Sequence, residues 1–281
     1  MLKRITLICS FAICSITSSF SQTFEVGFFM GASNYMGDLQ PEHITADEFR
    51  LSMGINGRYN FTPYLSAKVG FLKGQISGDD RHSTVESGRK ERNLHFESKI
   101  MELNILAECH FLGFLFDERP IISPYIYAGV AGFHFNPKAV YDNQVIDLQP
   151  LGTEGQGANG TDKYSLYQVA IPFGFGTEIN VGNACKIGVD VGVRKTFTDY
   201  LDDVSTVYPD IDLLNDVAPE SAALSYRTPE YNSDLAETNP IGNVRGNPNN
   251  KDWYAFGGMT FSFNISALTE LGGGPGMYNP F

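Results

Sequence analysis

The segment IGVDVGVR, residues 187–194, decides the fold. Ile187, Val189, Val191 and Val193 occupy every second position, with Gly188, Asp190, Gly192 and Arg194 between them. A period of two puts successive side chains on opposite faces of an extended strand, here one oily face and one polar or charged face. The pattern recurs in MELNILAE (101–108), where Met101, Leu103, Ile105 and Ala107 oppose Glu102, Asn104 and Glu108. It recurs again at Phe24, Val26, Phe28 and Met30, and across 51–61, 65–71, 168–180 and 255–265. The segment 124–135 is apolar on both faces and joins the series through its Tyr, Ile, Val and Phe content. Eight strands are expected.

The connections between these strands alternate in length. A link of roughly 16 residues follows the first strand, and Thr62-Pro63 makes a tight turn after the second. A long loop (78–95), a shorter link (112–120), a long loop (136–163), a tight Gly182-Asn183-Ala184 turn and a very long loop (198–251) follow in order. That alternation fits an all-β, eight-stranded, up-and-down antiparallel transmembrane barrel, with long extracellular loops and short periplasmic turns. The alternative, a soluble sandwich, gives no reason for long and short links to alternate. Closure matters because an open sheet edge in lipid leaves backbone groups unpaired.

The polar face collects Glu25, Arg58, Lys68, Glu102, Glu108, Glu178, Asp190 and Arg194. Charges of both signs inside a narrow eight-stranded lumen are expected to fill it as a paired network, which argues against a small-solute channel. Tyr59, Tyr64, Phe111, Tyr125, Trp253 and Tyr254, near strand ends, are expected to form interfacial girdles.

The chain begins with basic Lys3 and Arg4, an apolar run over 5–16, and Ser19 and Ser21 just before Gln22. This is the layout of a cleaved secretory signal over 1–21, too short for a spanning helix. The barrel then occupies 22–265, and the Gly-rich 266–281 reads as a flexible periplasmic tail. Cys9 and Cys14 each follow an isoleucine, which argues against lipidation. The whole chain carries a net charge of −12; without the two basic leader residues, 18 basic residues face 32 acidic ones, giving −14. Such a surface repels phosphates, so nucleic acid is not an expected partner. After the leader only Cys109 and Cys185 remain, the second placed in the turn after the sixth strand, too far apart in the barrel to bridge.

Several segments resemble the PorG-like outer-membrane proteins of the type IX secretion system. They are NYMGDL (34–39) after the first strand, SGDD (77–80) after the third, RNLHF (92–96), LQPLGTEGQG (148–157) and TDYLDDVSTVY (198–208). The resemblance implies a non-enzymatic outer-membrane subunit that docks a periplasmic ring lipoprotein and its partner. The loop-motif candidates are Tyr35, Asp38, Glu154, Gln156, Asp199, Tyr200, Asp202 and Asp203. The partner-contact candidates are Phe114, Phe116, Asp117, Glu118 and Arg119 in the 112–120 link, and Cys185. A stand-alone surface barrel binding a ligand or cell through its long loops is the alternative.

No cofactor or metal is expected. The 152–157 segment lacks the lysine of a phosphate-binding loop. Asp199, Asp202 and Asp203 lack the spacing of a calcium loop, and a loop-pairing acidic cluster is the default. His43, His82, His95, His110 and His134 are scattered, and Ser98 near His95 is a weak hint of a hydrolase couple.

Overall fold

Alternation of oily and polar residues produces strands long enough to cross a bilayer in the computed structural model, which describes residues 23–40, 46–83, 88–114, 120–158, 160–181, 184–235 and 240–265. The expected leader (1–21) and tail (266–281) lie outside the described residues, as do His43, Phe116, Asp117, Glu118 and Arg119. Among the described residues there are ten strands: β1 (Thr23–Met36), β2 (Arg50–Asn60), β3 (Leu65–Asp79), β4 (His95–His110), β5 (Ile122–His134), β6 (Pro137–Tyr141), β7 (Gln144–Asp147), β8 (Tyr167–Val181), β9 (Cys185–Thr196) and β10 (Trp253–Asn264). Eight of them close into a barrel in the order β3-β2-β1-β10-β9-β8-β5-β4, with β4 returning to pair with β3. Every pairing is antiparallel.

β6 and β7 are an addition inside the long loop after β5. They form a hairpin whose first strand continues the edge of β4, with Glu97 opposite Lys138. Its two-residue turn, Asp142-Asn143, has φ of 47° and 60°. Positive φ at both central residues suits the right-handed twist of a hairpin, and Asp and Asn tolerate it best after glycine. The sequence reading of 136–163 as plain loop is corrected here.

Strand parity sorts the chemistry. On β4, Leu103 and Ile105 are 61% and 58% exposed, while Glu102 and Glu108 are 0% exposed. From Met101 to Cys109 the outward positions of β4 are Met, Leu, Ile, Ala and Cys; beyond Met101 they turn to Lys99 and Glu97. At about 3.4 Å per residue and a tilt near 45°, that apolar run stands roughly 20 Å tall, close to the height of a membrane-facing barrel belt. So large an exposed apolar surface is stable in lipid and a liability in water.

Two girdle assignments are overturned. Tyr125 and Tyr254 are fully buried and point into the lumen, because they share parity with the charged face. Phe111 remains exposed near the turn end. The strands are also longer than periodicity shows. β1 includes Asn34-Tyr35-Met36 and β3 includes Ser77-Gly78-Asp79, so these motif residues belong to strands and not to the loops after them. Cys185 opens β9, opposite Val181 and Phe263, and is not in the turn. Both cysteines are free thiols, with β5 and β8 lying between β4 and β9.

Candidate functional site: the filled lumen and its cap

The lumen is filled in three layers. At the turn end, the Arg58 guanidinium lies 2.6 Å from Glu178, 2.7 Å from Glu108 and 3.2 Å from Glu25. Lys68 bridges Glu108 (2.6 Å) and Asp190 (3.3 Å), and Lys186 bridges Glu25 (2.7 Å) and Glu178 (3.2 Å). Three cations thus share four carboxylates. The hydroxyls of Tyr125 and Tyr127 donate to the two oxygens of Asp190, at 3.1 and 2.8 Å. Glycine at 176 and 192 makes room for those rings, since a Cβ there would strike Tyr125 or Tyr127. This accounts for the apolar look of both β5 faces: its inward tyrosines present rings to the lumen and hydroxyls to carboxylates.

The middle layer is Arg194 to Glu102 (3.1 Å), with the Tyr254 hydroxyl donating to Glu102 (2.8 Å) and Arg194 stacked over Phe256 (4.7 Å). Toward the loop end the lumen becomes apolar, packed with Ile76, Ile100, Phe96, Phe133, Phe135 and Leu39. A cavity of about 30 Å³ lies among Lys68, Asn104, Asp190 and Arg194, room for little more than water.

The motif residues converge on the mouth. The Tyr35 hydroxyl donates to Asp202 at 2.6 Å and lies 3.2 Å from Asp252. Asp252 also accepts from the Leu201 amide (2.9 Å), and Asp202 from the Val204 amide (2.9 Å). Gly37 sits where a Cβ would collide with both the Tyr35 hydroxyl and Asp252, which explains the glycine of the NYMGDL segment. Asp38 accepts the Asn247 amide at 2.8 Å.

Glu154 ties the other two motifs together. One carboxylate oxygen accepts from the amides of Ser205 (2.8 Å) and Thr206 (3.1 Å) and from Arg245 (2.9 Å). The other accepts from the hydroxyls of Thr206 (2.7 Å) and Tyr200 (3.3 Å). Gln156 accepts from the Glu154 amide (3.0 Å), and Asp199 from the Ser205 hydroxyl (2.6 Å). Asp203, at φ 66°, accepts from Tyr164 (2.6 Å) and from Thr153. Tyr164 stacks on Tyr200 with centroids 4.7 Å apart. All eight loop-motif candidates therefore belong to one cap.

Burial pushes the Asp199 and Asp203 carboxyls up to about 6. Burial also raises Asp38, and burial with neighbouring carboxylates raises Asp202 and Asp252 well above the usual range. The Tyr35 hydroxyl carries one proton and faces two carboxyl groups, so the trio is best satisfied when one carboxyl is protonated. Among the described residues no group of three or more His, Cys, Asp or Glu side chains is arranged to hold a metal ion. These carboxylates are instead turned toward amides and hydroxyls.

Sequence reasoning missed Arg245, Asp252 and Tyr164. One signal was available: Arg227 and Arg245 are the only basic residues in 198–250, among ten acidic ones, and so stand out as internal counterions. Arg245 is buried against Glu154, while Arg227 bonds the Val140 carbonyl of the hairpin (3.1 Å) and Glu230 (2.7 Å). His95 and Ser98 lie on opposite faces of β4, as their odd spacing requires. A different pair, His110 Nδ1 and Ser123 Oγ, lies 2.9 Å apart near Glu178, with both residues fully buried. Of the partner-contact candidates, Phe114 ends the helical turn Phe111–Phe114, and Cys185 lies at the same end of the barrel.

A closed antiparallel barrel with an oily exterior, a filled interior and a capped mouth is a membrane-spanning β-barrel protein. The chain belongs to the family described as a domain of unknown function, DUF6089, whose model matches residues 3–215. No curated protein matches the sequence. Among solved structures, Neisserial surface protein A is similar with a TM-score of 0.42 and 7% identity, over 86% of this chain and 97% of that one. Ail of Yersinia pestis, in complex with the heparin analogue sucrose octasulfate, gives 0.40 and 8%, over 87% and 99%. The outer membrane protein OprG of Pseudomonas aeruginosa gives 0.36 and 9%, over 86% and 97%. These are similarities of fold alone.

Proposed function

We propose that this chain is a non-enzymatic outer-membrane subunit of a type IX protein secretion machinery, anchoring a periplasmic ring lipoprotein and its partner at the turn end of the barrel. The leader over 1–21 directs it to the envelope, and the turn end of the barrel, where β1 begins and β10 ends, faces the periplasm. The observation that carries the reading is the cap. The two most specific segments of the PorG-like resemblance, 148–157 and 198–208, are locked together through Glu154 and Asp203. They behave as one unit, which supports reading them as a family trait and not as loop composition. A filled lumen suits an anchor, since it leaves no route for cargo through the barrel itself.

The test is deletion of the gene together with purification of the tagged protein from membranes. Loss of export of many proteins, with a ring lipoprotein in the purified complex, is the expected result. Removing 266–281 and replacing the 112–120 link should weaken that co-purification. Unchanged export and undiminished recovery would overturn the reading.

A second reading, a surface barrel that binds through its outer loops, is favoured by one feature. A cleft of about 570 Å³ opens among the loops, lined by Arg89, Tyr208, Tyr226, Asn243 and Asn247, within the size range of ligand pockets. Unchanged export, with loss of ligand or cell binding on substituting those residues, selects it.

A further inference from the structure

The membrane-facing surface carries a gap. On β5, Gly132 is exposed, and a Cβ built there meets nothing within 4 Å. This glycine is therefore not forced by a close approach; it leaves a hollow in the apolar belt. Its register partners are Leu103 on β4 and Val169 on β8, and Phe71 on β3 lies opposite Leu103. With Met101 these side chains wall an apolar groove of about 520 Å³ on the outside of the barrel, a volume ordinary for a ligand site.

One step toward the loop end the chemistry changes. Lys73, Met101, His134 and Tyr167 form the next row across β3, β4, β5 and β8. Lys99, opposite Gln75, stands one step beyond. Both lysines are exposed, and among the described residues neither ammonium group forms a hydrogen bond or ion pair. The nearest outward carboxylate on β4, Glu97, accepts a hydrogen bond from Gln75 at 2.9 Å. The His134 and Tyr167 rings, tilted by 58° with centroids 4.7 Å apart, close the far side.

An oily trough topped by two cations has the shape and charge of one amphiphile. We propose that the groove holds an acyl chain of an outer-leaflet lipid whose phosphorylated headgroup is bound by Lys73 and Lys99. The long loop 198–250 carries ten acidic and two basic residues and repels anionic headgroups, so the two lysines give the attraction a fixed place. The inference takes from the proposed function only that the loop end faces outward, and it holds whatever docks at the turn end.

The test is native mass spectrometry of the full chain in detergent with two probes: lipid A carrying both phosphates, and the same lipid with the phosphates removed. The wild type is expected to retain one phosphorylated lipid through detergent exchange and to lose the dephosphorylated form. The Lys73→Gln/Lys99→Gln variant should lower retention about tenfold or more, a loss of at least about 1.4 kcal/mol. Gly132→Phe, which fills the trough, should lower it to a similar degree with both lysines intact. Both changes lie on the exposed face, and the folded band on unheated gels checks that the barrel is intact. Equal retention of the two lipids by the wild type, or undiminished retention by either variant, overturns the proposal.

Discussion

The two ends of the barrel are closed by different means. In the turn-end lumen, charged side chains from neighbouring strands and from strands across the barrel pair with one another, three cations to four carboxylates, on the face that strand parity turns inward. At the mouth, carboxylates outnumber cations, and they are satisfied mainly by amides and hydroxyls of irregular loops. Excess negative charge survives burial there only with donors aimed at it or with protons retained. The lumen is therefore a scaffold set by ionic pairing, and the cap is a hydrogen-bonded cluster around carboxyls that burial raises.

The sharpest way to break the comparison is at Arg58. Arg58→Met strips the shared cation from Glu25, Glu108 and Glu178 and is expected to cost roughly 3–5 kcal/mol, as for other broken buried pairs. The urea midpoint of unfolding in detergent should fall, and adding Glu108→Gln should recover part of the loss. Arg245→Met removes the buried cation of the cap. It should cost about 1.5–3 kcal/mol, the scale of a hydrogen bond to a charged group, and the loss should be local. Hydrogen exchange over 198–208 should rise while the barrel's urea midpoint holds; a fall in both would merge the two regions into one unit.

The pH dependence sharpens the contrast. Asp199 and Asp203 carry carboxyls raised from 3.8 to about 6 in the folded cap. The native cap binds their protons more tightly than the unfolded loops do, so this contribution is full below pH 3.8 and is lost as pH rises through about 6. Amide protection in 198–208 should fall with rising pH, approaching about tenfold per pH unit for each proton that only the native cap retains. Asp203→Asn should flatten that profile. The smallest expected effect is Gly37→Ala, which presses a methyl group against Tyr35 and Asp252 and should cost about 1–3 kcal/mol of cap stability, read by the same exchange experiment.

What the sequence made legible follows from periodicity. All eight charged residues assigned to the polar face, from Glu25 to Arg194, lie in the lumen, because parity alone decides their side. Parity also settles Tyr125 and Tyr254, and reading them by proximity to strand ends put them on the wrong face. The hairpin of β6 and β7 escaped notice because its strands are short and carry no clean alternation, with Asp142-Asn143 as the one turn signal. The cap was half visible. Tyr35, Glu154 and Asp203 stood out as motif residues, but the side chains that theirs bond lie from 39 to 217 positions away. Pairings at such separations follow from barrel closure, and no local pattern encodes them.

The central claim is that the barrel interior is occupied from the turn end to the mouth. Conductance of the purified, refolded chain in planar lipid bilayers tests it most directly. The wild type is expected to insert and give no stable current steps, and Arg58→Met combined with Arg245→Met should give intermittent ones. Stable ohmic steps from the wild type would contradict the claim.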